Sequence, residues 1–208
     1  MSAALPARES GTPCWFEVGG PADPAVLDFW STAAGWRFDV NAQVSGYRRG
    51  LAGERKVAGF GGPVDPRPPR GWRVYLHVDD LDRALTAAVT GGAEVVHPET
   101  AAGPDGRFAF LRDPAGVVTG LFQPYDDPGT AREPGPGRVA AWRLEVADPD
   151  AAHRFYGAFL PAFSDQVEVV RGERGWTVVL AAPPGALAGE VVDPAGNSLL
   201  LTVGGGTS

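Results

Sequence analysis

The chain has 208 residues, 44% of them apolar, and 25 acidic against 18 basic side chains give a net charge of −7. That length holds one large or two small domains with a packed core, and an acidic chain without clustered basic residues excludes a nucleic-acid footprint and an anionic membrane surface, leaving small molecules as partners. A lone cysteine, Cys14, excludes a disulfide framework and a cysteine-rich metal site; with no apolar signal core in Met1–Ser10 and no run long enough to span a bilayer, a cytoplasmic protein is expected.

The first β-rich run is Cys14–Val18, followed by Asp23-Pro24, where the aspartate can cap free N–H groups and the proline suits a first helical turn. A helix is predicted from Ala25, then strands over Tyr47–Ala52 and Lys56–Gly61 separated by Gly53-Glu54-Arg55. A proline-rich stretch, Pro63–Arg70, separates this segment from the next. The second segment starts at Trp72–Val78, has Asp79 or Asp80 as a cap, and runs a helix over Leu81–Thr90 that Gly91-Gly92 ends. A short strand Ala93–His97 and a hairpin over Arg107–Phe122 complete it, the hairpin turning at Asp113-Pro114-Ala115-Gly116. Gln123–Gly137, dense in proline and glycine, reads as a strap or linker. The third segment repeats the order: Val139–Val146, Asp148-Pro149, a helix over Ala151–Leu160, and strands near Val167–Arg171, Trp176–Ala181 and Glu190–Val203. The last carries a second copy of the turn, Asp193-Pro194-Ala195-Gly196. An internal repeat means units that cannot cover their own sheets and pack on one another.

A βαβββ unit that opens on an alternating strand with an aspartate cap and ends in Asp-Pro-x-Gly between strands resembles the vicinal oxygen chelate superfamily of glyoxalases, bleomycin-binding proteins and extradiol dioxygenases. Tandem glyoxalase-like proteins resemble it more closely, through Gly11-Thr12-Pro13-Cys14-Trp15, Asp23-Pro24, Ala34-Gly35-Trp36, the turn at 113–116, Gly120–Pro124 and Asp148–Gly157. The resemblance implies an α+β fold of repeated βαβββ units forming an open half-barrel with helices outside. Residues 11–124 would form one cup of two units, 125–137 a linker and 138–203 a third unit, incomplete or paired in trans. Either a deletion fused the start of a third unit to the end of a fourth, or the lone unit pairs with its counterpart in another subunit. The second arrangement, a homodimer, is the expectation, because a single unit would leave an apolar sheet uncovered.

Metal-bearing members of the superfamily take a histidine or similar ligand early in each first strand and a glutamate from the strand after Asp-Pro-x-Gly, so that ligands converge from several strands. The places where the glutamate belongs hold Gly120 and Leu200, and Arg73 stands in the first strand of the second segment. The usual constellation is absent, His77, His97 and Glu17 offer only an unorthodox substitute, and neither a metal nor another cofactor is expected.

Alternation in a strand sends one set of side chains to the core and the other into the cup. Phe16, Val18, Val74, Leu76 and Val78 form the core set; Trp15, Glu17, Arg73, Tyr75 and His77 face the cup, with Tyr47 and Arg49 on a later strand of the same wall. A carboxylate, phenols, an imidazole and a guanidinium in one concavity can bind a polar aromatic molecule and move protons. In that reading Glu17 is a base, Tyr75 and His77 are acid or oxyanion donors, and Trp15, Tyr47, Arg49 and Arg73 bind substrate. Glu17 and Arg73 equally fit an ion pair on neighbouring strands; His153, on an outer helix, and Cys14, a packing residue, receive no role. The function expected is that of a metal-independent isomerase, cyclase or lyase acting on a small, partly aromatic molecule, with secondary metabolism as its setting. The alternatives are a sequestering protein of the antibiotic-resistance type and a metal-dependent dioxygenase or glyoxalase-type lyase.

Overall fold

The computed structural model describes residues 8–19, 22–40, 46–62, 71–125, 129–130, 134–186 and 188–203. The proposed proline-rich join at 63–70 lies outside the described residues, as do 126–128 and 131–133 of the proposed linker.

The first half runs β1 (Pro13–Gly19), α1 (Pro24–Ala34), β2 (Arg37–Val40), β3 (Arg48–Ala52), β4 (Arg55–Gly62), β5 (Trp72–His77), α2 (Leu81–Thr90), β6 (Glu94–Ala101), β7 (Gly106–Arg112) and β8 (Val118–Pro124). Two of these elements depart from the sequence reading: β2 was not anticipated, and β6 extends to Ala101 rather than stopping at His97. The helix starts follow their capping residues. Asp23 accepts from Ala25 N at 2.8 Å and Asp80, rather than Asp79, accepts from Arg83 N at 3.0 Å. The eight strands form one sheet in the order β2-β3-β4-β1-β5-β8-β7-β6. At its middle β1 and β5 pair antiparallel, and each has a parallel partner on its outer side, β4 and β8 respectively. That is two βαβββ units joined through their first strands in an open half-barrel.

The second half runs β9 (Val139–Val146), α3 (Pro149–Gly157), α4 (Phe163–Gln166), β10 (Glu168–Arg171), β11 (Gly175–Ala181), β12 (Gly189–Val192) and β13 (Ser198–Thr202), with sheet order β10-β9-β11-β13-β12. Its pairing repeats that of the first sheet. β9 and β11 are antiparallel at the middle, and β10 and β13 are their parallel outer partners. β11 therefore stands where a fourth unit's first strand stands, and residues 138–203 contain two abridged units: β9, α3 and β10 from one, β11, β12 and β13 from the other.

The apolar face of this second sheet is covered within the chain. Leu144, Val146, Val178, Leu180, Leu199 and Leu201 are buried in the same core cluster as Phe16, Trp30, Trp36, Leu76 and Leu121. Among the described residues, the apolar face that motivated pairing in trans packs instead with α1, α3 and strands of the first sheet. Both Asp-Pro-Ala-Gly turns close tightly, with Gly116 at φ +87° and Gly196 at φ +86°. Each turn also docks on the opposite half. Trp30 Nε1 of α1 donates to Asp193 Oδ2 at 2.9 Å, and Tyr156 of α3 donates its hydroxyl to Asp113 Oδ2 at 2.9 Å. A reciprocal pair of aromatic donors on buried carboxylates thus fixes the two halves against each other.

Candidate functional site

β1 and β5 lie side by side with Glu17 opposite Arg73 and Trp15 opposite Tyr75, so strand alternation delivers four cup-facing side chains to one spot at the junction of the two units. Glu17 is the hub. Its Oε1 accepts from Arg73 Nη2 at 2.7 Å and from the Tyr75 hydroxyl at 2.6 Å, while Oε2 accepts from the Tyr47 hydroxyl at 2.9 Å. The Tyr47 oxygen in turn accepts from Trp15 Nε1 at 2.9 Å. Arg73 lies over the Phe110 ring, its Cζ 5.1 Å from the centroid.

Depth within the cup separates these residues. Glu17, Arg73 and Tyr75 are at most 4% exposed, whereas Trp15 and Tyr47 are half-buried and form the outer layer. The second unit's side of the cup is filled by a small apolar cluster of Cys14, Tyr75, Phe108, Phe110 and Val118 with Phe122 and Val96 packed against it. A cleft of about 350 Å³ beside α2 and one of about 850 Å³ between residues 8–13 and β9 both lie away from Glu17.

Two glycines make this packing possible. Gly59 pairs with Glu17 across the parallel β1–β4 ladder, and Gly120 pairs with Tyr75 across β5–β8. A Cβ at Gly59 would overlap the Tyr47 hydroxyl, and one at Gly120 would come within 2.5 Å of Tyr75 Cδ1. Burial is the main cause that pushes both phenols well above the usual tyrosine range, with the Glu17 charge adding to it, so both remain O–H donors at neutral pH.

The same four positions are the ones a metal would have to use. The first strands and their parallel partners, where metal-bearing relatives gather ligands, present Glu17, Gly59, Tyr75 and Gly120. Two of these have no side chain, their space is filled by phenol rings, and the one carboxylate is already paired with a guanidinium. Such a donor set does not fit a divalent cation, and among the described residues no group of three or more His, Cys, Asp or Glu side chains gathers elsewhere.

The remaining predicted site residues are placed differently. His77, at the end of β5, has its Nε2 3.1 Å from Asp79 Oδ1, and that carboxylate also takes the Ser10 hydroxyl at 2.7 Å, the main cause that holds Asp79 below the usual carboxylate range. Among the described residues, Glu17's partners are Arg73, Tyr75 and Tyr47, so His77 stands outside that cluster. Arg49 is held in a two-point ion pair with Asp39 of β2 at 2.7 and 2.9 Å. Sequence reasoning missed Gly59, Phe110 and Asp39. The signal for the first was available, since a glycine inside an apolar strand marks a close approach.

Comparison with known proteins places these features in context. Residues 20–122 match the family model of a glyoxalase-like domain. CFP32 of Mycobacterium bovis, a glyoxylase by name, is 29% identical over 170 residues, covering 78% of this chain and 65% of that protein. The anthracycline biosynthesis protein DnrV of Streptomyces peucetius is 28% identical over 166 residues, 72% of this chain and 60% of its own length. The chain thus spans less than two thirds of either relative. The fold is shared with the Mn(II)-bound glyoxalase from Novosphingobium aromaticivorans, at TM-score 0.63 and 12% identity over 94% of this chain and 82% of that one. It is shared equally with the 2,3-dioxygenase LapB from Pseudomonas sp. KL28, at TM-score 0.60 and 11% identity over 95% and 93%. Residues 20–122 are thus similar to a glyoxalase-like domain, and the fold of the chain is the one found in the Mn(II)-bound glyoxalase and the 2,3-dioxygenase.

Proposed function

We propose that the chain is a cytoplasmic, metal-independent enzyme that carries out acid–base chemistry, an isomerisation, cyclisation or elimination, on a small, partly aromatic molecule held in the cup of its first half. The observation that carries this reading is the Glu17 hub: one carboxylate, one guanidinium and two phenols share hydrogen bonds within 2.6 to 2.9 Å where the two units meet. Glu17 supplies the basic site, the phenols supply O–H donors, and Arg73, whose Nε–H is buried without a hydrogen-bond partner among the described residues, offers a further donor to a ligand oxygen. The relatives DnrV and DauV, both named as anthracycline biosynthesis proteins, support a place in secondary metabolism. Turnover of a substrate found by screening, with affinity measured in parallel, tests the reading. Tyr75→Phe, and Glu17→Gln where it folds, are expected to lower kcat by about 100-fold or more, in the range of general acid–base contributions, with affinity held within a few-fold. Tight binding without turnover in the wild-type protein would instead identify a sequestering protein.

A further inference from the structure

Glu17, Arg73 and Tyr75 form the buried part of the hub, and Tyr47 and Trp15 are its less buried members. Glu17 is 4% exposed and its oxygens are already taken by Arg73, Tyr75 and Tyr47. A ligand therefore meets the half-buried Tyr47–Trp15 layer before it meets Glu17. The Tyr47 hydroxyl donates to Glu17 Oε2 and accepts from Trp15 Nε1, which leaves its oxygen one lone pair for a third partner.

From this arrangement we infer that Tyr47, rather than Glu17, is the group that touches the substrate, relaying a proton to Glu17, and that the substrate class is an aryl ketone with an enolisable C–H. The inference rests on the acid–base reading of the same cup. The step balances without an oxidant or a second reactant. The α C–H bond breaks and its electron pair forms the enolate. The hydrogen passes to the Tyr47 oxygen while the phenolic hydrogen of Tyr47 passes to Glu17 Oε2, leaving a neutral carboxylic acid. Reversal at the same or a conjugated carbon returns the proton and completes an isomerisation. Trp15 Nε1–H, 2.9 Å from the Tyr47 oxygen, keeps its hydrogen bond to that oxygen through the step and holds the phenol in place.

The substrate class follows from the strength of the base. A carboxylate is a modest base, and here its lone pairs are shared among an arginine and two phenols, so the hydrogen it can take is one already acidified by a neighbouring carbonyl. The aromatic part of the ligand follows from the rim, where Trp15 and Phe122 present half-buried ring surface. Gly59 is a positioning residue in this scheme, because only a position without a Cβ lets the Tyr47 hydroxyl reach Glu17.

2-Tetralone, an aryl-fused ketone with an acidified methylene, is a suitable probe. Its α-hydrogen exchange in heavy water is followed by proton NMR and its binding by tryptophan fluorescence. The wild-type protein is expected to accelerate exchange at least 100-fold over buffer. Tyr47→Phe, which leaves the buried Glu17–Arg73–Tyr75 set in place, is expected to bind the probe within about threefold of wild type and to exchange at the buffer rate. Wild-type exchange retained in Tyr47→Phe but lost in Glu17→Gln would overturn the relay and leave the acid–base function standing. Binding without accelerated exchange in the wild-type protein would overturn both. Absence of binding would overturn the substrate class alone, since turnover of a screened substrate tests the function separately.

Discussion

At the scale of single residues, Arg73 is a cation that is 3% exposed and whose charge is matched by Glu17 alone among its hydrogen-bond partners in the described residues. Removing one member of such a pair leaves a buried charge uncompensated, so Arg73→Met is expected to cost about 3–5 kcal/mol in denaturant unfolding; a loss under 1 kcal/mol would show that the pair is more solvated than its burial implies. At Gly120 a methyl group would come within 2.5 Å of the Tyr75 ring, and Gly120→Ala is expected to destabilise by about 1–3 kcal/mol through overpacking. The phenols give a spectroscopic check. Tyr47, Tyr75 and Tyr156 are each shifted well above 10.0 with burial the leading cause, so at pH 10 at most one of the four tyrosines of the folded protein shows the tyrosinate ultraviolet band. The pairing of Glu17 with Arg73 was legible in the sequence because strand alternation is strict. The place of His77 beside Asp79, and of Arg49 beside Asp39, was not, since each depends on a neighbour from a turn or an unforeseen edge strand.

Among the elements, the two Asp-Pro-Ala-Gly hairpins show what a motif conceals. The sequence marks them as turns through proline and glycine, and turns they are. Their second task, receiving Trp30 and Tyr156 from the opposite half, rests on tertiary contacts between residues 163 and 43 positions apart, which no local pattern encodes. Trp30→Phe and Tyr156→Phe each leave a buried carboxylate short of a donor and are expected to cost about 1–3 kcal/mol in thermal or denaturant unfolding. Asp113 adds a pH dependence. Burial raises its folded-state pKa above the ordinary 3.8, so its contribution to stability is fully present below that unfolded value and is lost as pH rises through the folded one. Relative to Asp113→Asn, the wild-type melting temperature should therefore gain as pH falls from neutral towards 4, and a relative loss over that window would reverse the sign assigned to Asp113.

For the whole molecule, threefold recurrence of strand and helix announced the repeat architecture, and the first half follows it. The second half was harder to read because its fourth unit begins at β11 without a helix, leaving Gly175–Ala181 to look like an ordinary strand of the third unit. Nor could the sequence reveal that the second sheet closes over α1 and α3 in the same chain, since apolar alternation names a buried face and not the surface that buries it. A chain ending at residue 137 would expose Trp30, Leu76 and Leu121 from the shared core. Such a chain is expected to bind hydrophobic dyes and to lose cooperative unfolding, while a cooperative transition would show that the first cup folds unaided.

The central claim is that the middle of the first cup holds a carboxylate, guanidinium and phenol cluster in place of a divalent cation. Calorimetric titration of metal-stripped protein with Mn(II), Fe(II) and Zn(II), each under reducing conditions, tests it most directly. The donor set around Glu17, Gly59, Tyr75 and Gly120 predicts no saturable heat and no rise in melting temperature with any of the three. One equivalent bound with micromolar affinity, and abolished by Glu17→Gln, would contradict it.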